Sequence, residues 1–183
     1  MKAKIHTNLN VSYVLRGKDG KLKKLFKENK IGKWLRSKKI KFPKILLFGN
    51  WTNKMSMANL ITNAGFAGMA SVCNGSGAEA AFTYIATGTG TTAADVTDTT
   101  LETELAVSGL SRAAATASRI TKDVTNDTAQ LSKEFTVTGT AAVTESGVLN
   151  AASTGTLLCH QIFSAINVVD GDTLTITWKI DFD

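Results

Sequence analysis

Thr173-Leu-Thr-Ile-Thr-Trp-Lys-Ile-Asp-Phe182 is the stretch that decides the fold. Leu174, Ile176, Trp178, Ile180 and Phe182 share one parity; Thr173, Thr175, Thr177, Lys179 and Asp181 share the other. Successive side chains of an extended chain point to opposite faces, so this alternation predicts a strand with one face on a core. Working back, Val169-Asp-Gly-Asp172 reads as a turn, Thr156–Phe163 as a strand, and Ala141–Leu149 as another, with Gly147 marking a candidate bulge. Leu131, Lys133, Phe135 and Val137 alternate with polar positions in a strand over 131–138, which the polar loop Asp123–Asp127 joins to a strand over 112–122. Phe82–Thr87 is a further strand, closed by the turn Gly88-Thr-Gly-Thr-Thr92. The candidate core is Phe82, Ile85, Phe135, Val137, Leu174, Ile176, Trp178 and Ile180. Short strands at this spacing predict a mainly β domain, an antiparallel β-sandwich or jelly-roll-like fold. Thr62 or Asn63 caps an expected helix running to about Val72, with a loop forced by Asn74-Gly-Ser-Gly77. Asp98–Leu105 is expected as a second short helix, with acids near its start.

The 183-residue chain has a formal net charge of +6, but that charge is divided. Residues 1–57 hold 16 Lys and Arg against 2 acids, whereas residues 58–183 hold 5 against 13. Composition shifts at the same place, from Lys-rich and aromatic-bearing to a tract with 23 threonines. The shift predicts a basic N-terminal arm over residues 1–56 and a Thr/Ala-rich β-sandwich domain over residues 57–183. Asn50, Thr52, Asn53 and Ser56 make the junction linker-like. A basic arm is drawn to acidic surfaces: nucleic acid, anionic lipid or an acidic protein, including a second copy of this chain. No run approaches the ~20 apolar residues of a membrane-spanning helix. The opening MKAKIHTNLN has neither the apolar h-region nor the small-residue cleavage site of a standard signal peptide.

Within the arm, Val11, Tyr13 and Leu15 alternate ahead of Lys18-Asp-Gly-Lys21. Asp-Gly suits a two-residue turn and predicts a hairpin over 11–26, with Leu15 opposite Lys24 and Tyr13 opposite Phe26. The competing reading is one amphipathic helix over 22–35. It puts Leu22, Leu25 and Phe26 on one side and Ile31, Trp34 and Leu35 on the other, so no single apolar face results. Ile45–Phe48, after the only proline, suits an edge or docking strand. The candidate partner-anchoring residues are Lys21, Lys23, Lys24, Lys27, Trp34, Arg36, Lys38, Lys39, Lys41, Phe48 and Trp51. Lysines meet anions as point charges, and buried aromatics act as anchors. The same aromatics can stack on bases, lie at a lipid interface or form the arm's own small core. Docking on a neighbouring subunit ranks first, nucleic acid second and membrane third.

Catalytic signatures are sparse. His6 and His160 lie far apart in sequence, and His160 adjoins Cys159, so in a strand their side chains diverge and form no thiolate–imidazolium pair. His160 is expected to be a structural or surface residue. Cys73 and Cys159 match no zinc or redox spacing and read as buried or half-buried free thiols, with a single disulfide left open. Gly88-Thr-Gly-Thr-Thr92 superficially suggests phosphate binding, but it lacks the Gly-Lys-Ser/Thr that supplies charge and holds magnesium. It reads as a tight turn. Asp170-Gly-Asp172 and Asp123…Asp127 offer too few oxygens for calcium and read as polar turns. No catalytic residue, metal or cofactor is expected.

Several stretches together carry a resemblance. These are Asn59-Leu-Ile-Thr-Asn-Ala-Gly65, Phe82-Thr-Tyr-Ile-Ala-Thr-Gly-Thr-Gly-Thr-Thr-Ala-Ala-Asp95, Thr99-Thr-Leu-Glu-Thr-Glu104, Ala142-Val-Thr-Glu-Ser-Gly-Val-Leu-Asn-Ala-Ala-Ser153, Gly155-Thr-Leu-Leu158 and Gly171-Asp-Thr-Leu-Thr-Ile-Thr-Trp-Lys-Ile180. In this order, over about residues 57–183, they resemble a group of small tailed-bacteriophage virion proteins. Relatives of that group open with a strand, an Asp-Gly turn and a second strand; Val11–Phe26 looks like that opening, and the lysine-rich 31–56 looks like an insertion. The resemblance implies a non-enzymatic, homo-oligomeric virion component of tail, fibre, baseplate or capsid surface. Its partners would be other virion proteins and copies of itself. Two other classes compete: a nucleic-acid-associated protein using the lysine-rich arm, and a glycan-binding or glycan-cleaving module.

Overall fold

The computed structural model describes residues 7–31 and 49–182. Strand β13 (Thr173–Phe182) is central in the larger sheet. On one side it pairs antiparallel with β1 (Thr7–Arg16) along its whole length, from Thr7↔Phe182 to Arg16↔Thr173. On the other side it pairs with β10 (Thr128–Thr136), followed by β9 (Thr116–Ile120). The second sheet runs in the order β6 (Leu60–Ile61), β12 (Leu157–Val168), β11 (Ala141–Leu149), β7 (Tyr84–Gly88), β8 (Ala113–Ala114). The two sheets share one core. Val11, Tyr13, Leu174, Ile176 and Trp178 of the first join Ile85, Val143, Val148, Phe163 and Ile166 of the second. The Tyr13 and Phe163 rings lie 4.1 Å apart, and Trp178 Nε1 donates to Ser146 Oγ at 3.4 Å across the sandwich. The alternation of 173–182 thus produces the mainly β, antiparallel sandwich it predicts.

The one described helix, α1 (Asn63–Asn74), begins where the sequence places it. Thr62 Oγ1 accepts from Gly65 N at 2.9 Å and donates to Leu157 O at 2.5 Å, so the cap also ties the helix to β12. Gly75, at φ 66°, closes the C-terminus.

The expected division at residue 57 has no counterpart in the packing. Val11, Tyr13 and Leu15 of β1 are at most 2% exposed and belong to the common core. Strands β2 (Leu22–Lys23) and β5 (Met55–Ala58) lie end to end along the outer side of β1. Leu15 faces Lys23 and Tyr13 faces Met55, which leaves one position, opposite Val14, between them. Residues 25–54 therefore leave a single edge strand and return to it in register. Within that excursion β3 (Leu25–Glu28) pairs with β4 (Gly49–Thr52), with Phe26 opposite Trp51. The composition shift records surface chemistry rather than a boundary in the fold.

The hairpin forms with a different turn. Leu15 pairs with Lys23, not Lys24, and Tyr13 with Met55, not Phe26. Gly17 N donates to Lys21 O at 2.9 Å, Asp19 Oδ1 accepts from Lys21 N, and Gly20 sits at φ 75°. The loop therefore has three residues ending in a left-handed glycine, one longer than the two-residue turn. No helix forms over 98–105, because amides of that stretch are spent on the Glu145 carboxylate and the Thr87 carbonyl, as described below. The strand expected over 112–122 breaks at Ala115, whose N–H bonds to Thr83 O, as the chain passes from β8 in one sheet to β9 in the other. Gly147 is no bulge: it pairs in register with Ala86 and His160, and the irregularities fall at Val143/Glu145 and Val148/Leu149. A Cβ there would stand about 3 Å from Leu101, Leu157 and the Cys159 carbonyl, so the glycine serves close packing. Of the expected core, Ile85, Phe135, Val137, Leu174, Ile176, Trp178 and Ile180 are buried, whereas Phe82 is half-buried at the core's margin. Phe182 is 47% exposed; at the strand's end Asp181 is buried instead, bonded to Thr128 Oγ1 and paired with Lys122. Trp34, Arg36, Lys38, Lys39, Lys41, Phe48 and the expected strand over 45–48 lie outside the described residues, as does His6.

Candidate functional site

Ala141–Leu149 is a buried strand with one charged residue, Glu145, and Glu145 is fully buried. Gly147 pairs with His160 across the sheet, and Glu145 precedes Gly147 by two, so its side chain rises on the face that carries the His160 imidazole. Glu145 Oε2 meets His160 Nε2 at 3.1 Å, and Asp98 Oδ2 meets Nδ1 at 2.7 Å. His160 itself is buried.

A loop over 89–105 wraps this cluster. Gly90 N and Thr103 N each donate to Glu145 Oε1 at 2.8 Å, and Glu102 N donates to Oε2 at 3.0 Å. Gly88 and Gly90 make room. A Cβ on Gly88 would stand 2.3 Å from Glu145 Oε1, and one on Gly90 2.7 Å. Thr91 N and Thr92 N donate to Glu102 Oε2, and Thr92 Oγ1 to Oε1. The Gly/Thr run that superficially suggests phosphate binding thus points its amides at the protein's own carboxylates. Leu101 adds an apolar plug, buried with Ala86, Leu149 and Leu157 in a second small cluster. Arg112 ties down the loop's far end through a two-pronged bond to Glu104, at 2.8 and 2.6 Å, and through bonds to the Ala151 and Thr154 carbonyls.

The electrostatics follow from these contacts. Burial pushes the Glu145 carboxyl up, but the bonds from His160 and from the Thr103, Gly90 and Glu102 amides outweigh it and hold the group below its ordinary range. Burial pushes His160 down, yet its bonds to Glu145 and Asp98, with their charges, lift it above the ordinary imidazole value. An imidazolium donates from both nitrogens and so matches two flanking carboxylates. A cavity of about 430 Å³ opens beside the cluster, lined by Thr92, Thr97, Asp98, Glu102 and His160 among others.

Chemically this is a saturated cluster. Each Glu145 oxygen accepts two bonds and each His160 nitrogen faces a carboxylate, so neither residue turns a free lone pair toward a substrate. The neighbouring thiol, Cys159, is fully buried, and burial pushes its pKa far up, away from the reactive thiolate. Both cysteines are free; Cys73 is exposed rather than buried.

The anchoring candidates lie elsewhere. Lys23 Nζ bonds to both oxygens of the buried Asp172, at 2.6 and 2.8 Å, and is tied into the fold. Lys21 pairs loosely with Asp19 at 3.4 Å. Lys24 and Lys27 carry no ion pair among the described residues, and Trp51 is 58% exposed, with Phe26 packed edge-on at 5.5 Å. Sequence reasoning places His160 as structural but misses its partners. The available signal is a lone glutamate inside an otherwise uncharged buried strand, with Gly88 and Gly90 free of side chains to admit it. No family model, curated protein or solved structure matches the chain.

Proposed function

We propose that this chain is a non-enzymatic structural component of a tailed-bacteriophage particle, a homo-oligomeric surface protein of tail, fibre, baseplate or capsid, anchored through its basic segment. The observation that carries the reading is the excursion 25–54. It departs from one edge strand, rejoins it in register, and holds 9 Lys and Arg against 1 acid. A strongly cationic segment in a chain with an acidic remainder suits docking against an acidic protein surface. The motif order resembling small virion proteins points the same way. Those motifs supply Thr62, Gly88, Gly90, Glu102 and Glu145, which tie helix, loop and sheet together rather than present reactive atoms. Nucleic-acid association through the same lysines is the second reading, favoured by Lys24 and Lys27, which carry no ion pair among the described residues; it requires binding that weakens steeply with salt.

The test is a chain with Lys24 joined directly to Met55, which restores one continuous edge strand opposite residues 10–16. It loses the core contact of Leu25, so its melting is recorded first. A full-length Lys24→Glu, Lys27→Glu, Trp51→Ala variant guards against misfolding. Both should fold and fail to enter particles; normal incorporation of either folded variant overturns the anchor reading. Removing residues 1–56 is no test, because it also removes β1.

A further inference from the structure

Glu145 and Asp98 grip one imidazole from opposite sides, but they are not equivalent. The Glu145 side chain is fully buried and takes three amides besides, whereas that of Asp98 is 27% exposed. A neutral imidazole has one N–H and one lone pair, so once a proton leaves, one carboxylate faces a lone pair. The remaining proton stays where water cannot replace it, on Nε2 toward Glu145. Asp98 loses its donor and is near enough to the surface to take water instead.

Asp98 also ties its own turn. Its Oδ2 accepts from Asp95 N at 2.8 Å, and its N–H donates to Asp95 O at 3.1 Å. Inside that turn, the Val96 carbonyl accepts from Asn63 N at 2.7 Å, the first residue of α1. We propose that His160 is a pH-responsive latch: protonated, it holds the turn 95–98 against β12; neutral, it releases the turn together with the carbonyl that satisfies the Asn63 amide. The titratable groups in contact with the ring are Glu145 from β11 and Asp98 from the loop; Glu102, bonded to Thr91 and Thr92, lines the same cavity. Beside it β6 places Leu60 and β11 places Gly147, neither of which titrates. Glu145 and Asp98 favour the imidazolium, so the latch is closed below the ordinary imidazole value of ~6.5 and opens as pH rises through the higher value of the folded protein. Helix α1 is thereby coupled to a loop distant in sequence through one proton. This device does not depend on the virion reading.

Amide hydrogen exchange on the full chain tests it, with protection factors compared at about pH 6 and about pH 9. Asn63 and Asp95 should lose about tenfold or more in protection, while Gly90 and Thr103, held by Glu145, stay within about twofold. Unchanged protection at Asn63 and Asp95 overturns the latch, as does equal loss at all four amides, which would mean general loosening. Asp98→Asn, at a partly exposed position, should fold and abolish the pH dependence at Asn63. If the dependence persists in that variant, the His160–Asp98 contact is not its source.

Discussion

Glu145→Gln preserves shape while removing the buried charge, and its cost can be worked from the contacts. The amide oxygen still accepts from two N–H groups, but the new NH2 replaces an oxygen that took Glu102 N at 3.0 Å and His160 Nε2 at 3.1 Å. One backbone donor is left facing a donor, worth about 1–3 kcal/mol. His160 also loses its buried counter-charge, and breaking one side of a buried pair costs about 3–5 kcal/mol. Part of this is recovered, because a buried carboxylate no longer has to be desolvated. A net loss of about 3–4 kcal/mol follows, and at about 2–4 °C per kcal/mol for this size the melting temperature should fall by roughly 10 °C. Calorimetry at about pH 6 measures it. The deficit should shrink at higher pH. The raised imidazole contributes stability that is fully present below ~6.5 and lost as pH rises through its folded-state value, and the variant lacks the Glu145 share of that contribution, keeping that of Asp98. A loss under about 2 °C at low pH, well below the interval these magnitudes imply, would refute the clamp, as would unaltered protection at Gly90, Glu102 and Thr103.

Other outcomes follow from single contacts. Gly88→Ala drives a Cβ to 2.3 Å from Glu145 Oε1 and 2.5 Å from the Thr103 carbonyl, so its urea midpoint should fall by an amount equivalent to about 1–3 kcal/mol; an unchanged midpoint would show that the loop yields freely. Asp172→Ala strips Lys23 and the Val169 amide of their acceptor, and because Lys23 is 40% exposed and screened, chemical denaturation should register only about 1–2 kcal/mol. A thiol reagent should titrate Cys73 alone in the native protein and Cys159 only after denaturation; fast native reaction of both would contradict the burial of Cys159.

The loop 89–105 shows how backbone chemistry can imitate a ligand site. A run of glycine and threonine presents clustered N–H groups, and any oxyanion satisfies them. Here the oxyanions are internal. Glu145 approaches from a strand and Glu102 from the loop itself, whose carboxylate the Thr92 and Thr91 groups hold below its ordinary range. A polar loop is thereby fixed on the sheet chiefly by side chains of β11, Glu145 and Thr144, whose Oγ1 donates to Gly90 O at 2.6 Å, together with the Gly88–Glu104 bridge.

Local chemistry was enough to read several elements directly. The period-2 pattern of 173–182, the Thr62 cap and the Asp170-Gly171 turn each depend only on nearest neighbours, and each is where the residues put it. Core positions on β13 followed from parity up to Ile180, whereas at the strand's end Asp181 is buried and Phe182 exposed. What the sequence could not settle depends on partners far along the chain. Charge and composition divided the chain near residue 57, yet β1 pairs with β13 across most of the chain's length, because apolar alternation finds its sheet regardless of the lysines beyond it. The Asp98–Leu105 stretch has acids placed to start a helix, but the Glu145 carboxylate takes the Glu102 and Thr103 amides and the Thr87 carbonyl takes that of Leu105. The joining of Asp98, Glu145 and His160 is likewise a product of register: only the pairing of Gly147 with His160 sets the acid beside the base. Sequence determined which segments extend, turn and cap; the tertiary structure alone decided which charges meet out of water, since burial and counter-charge are properties of the assembled sheets.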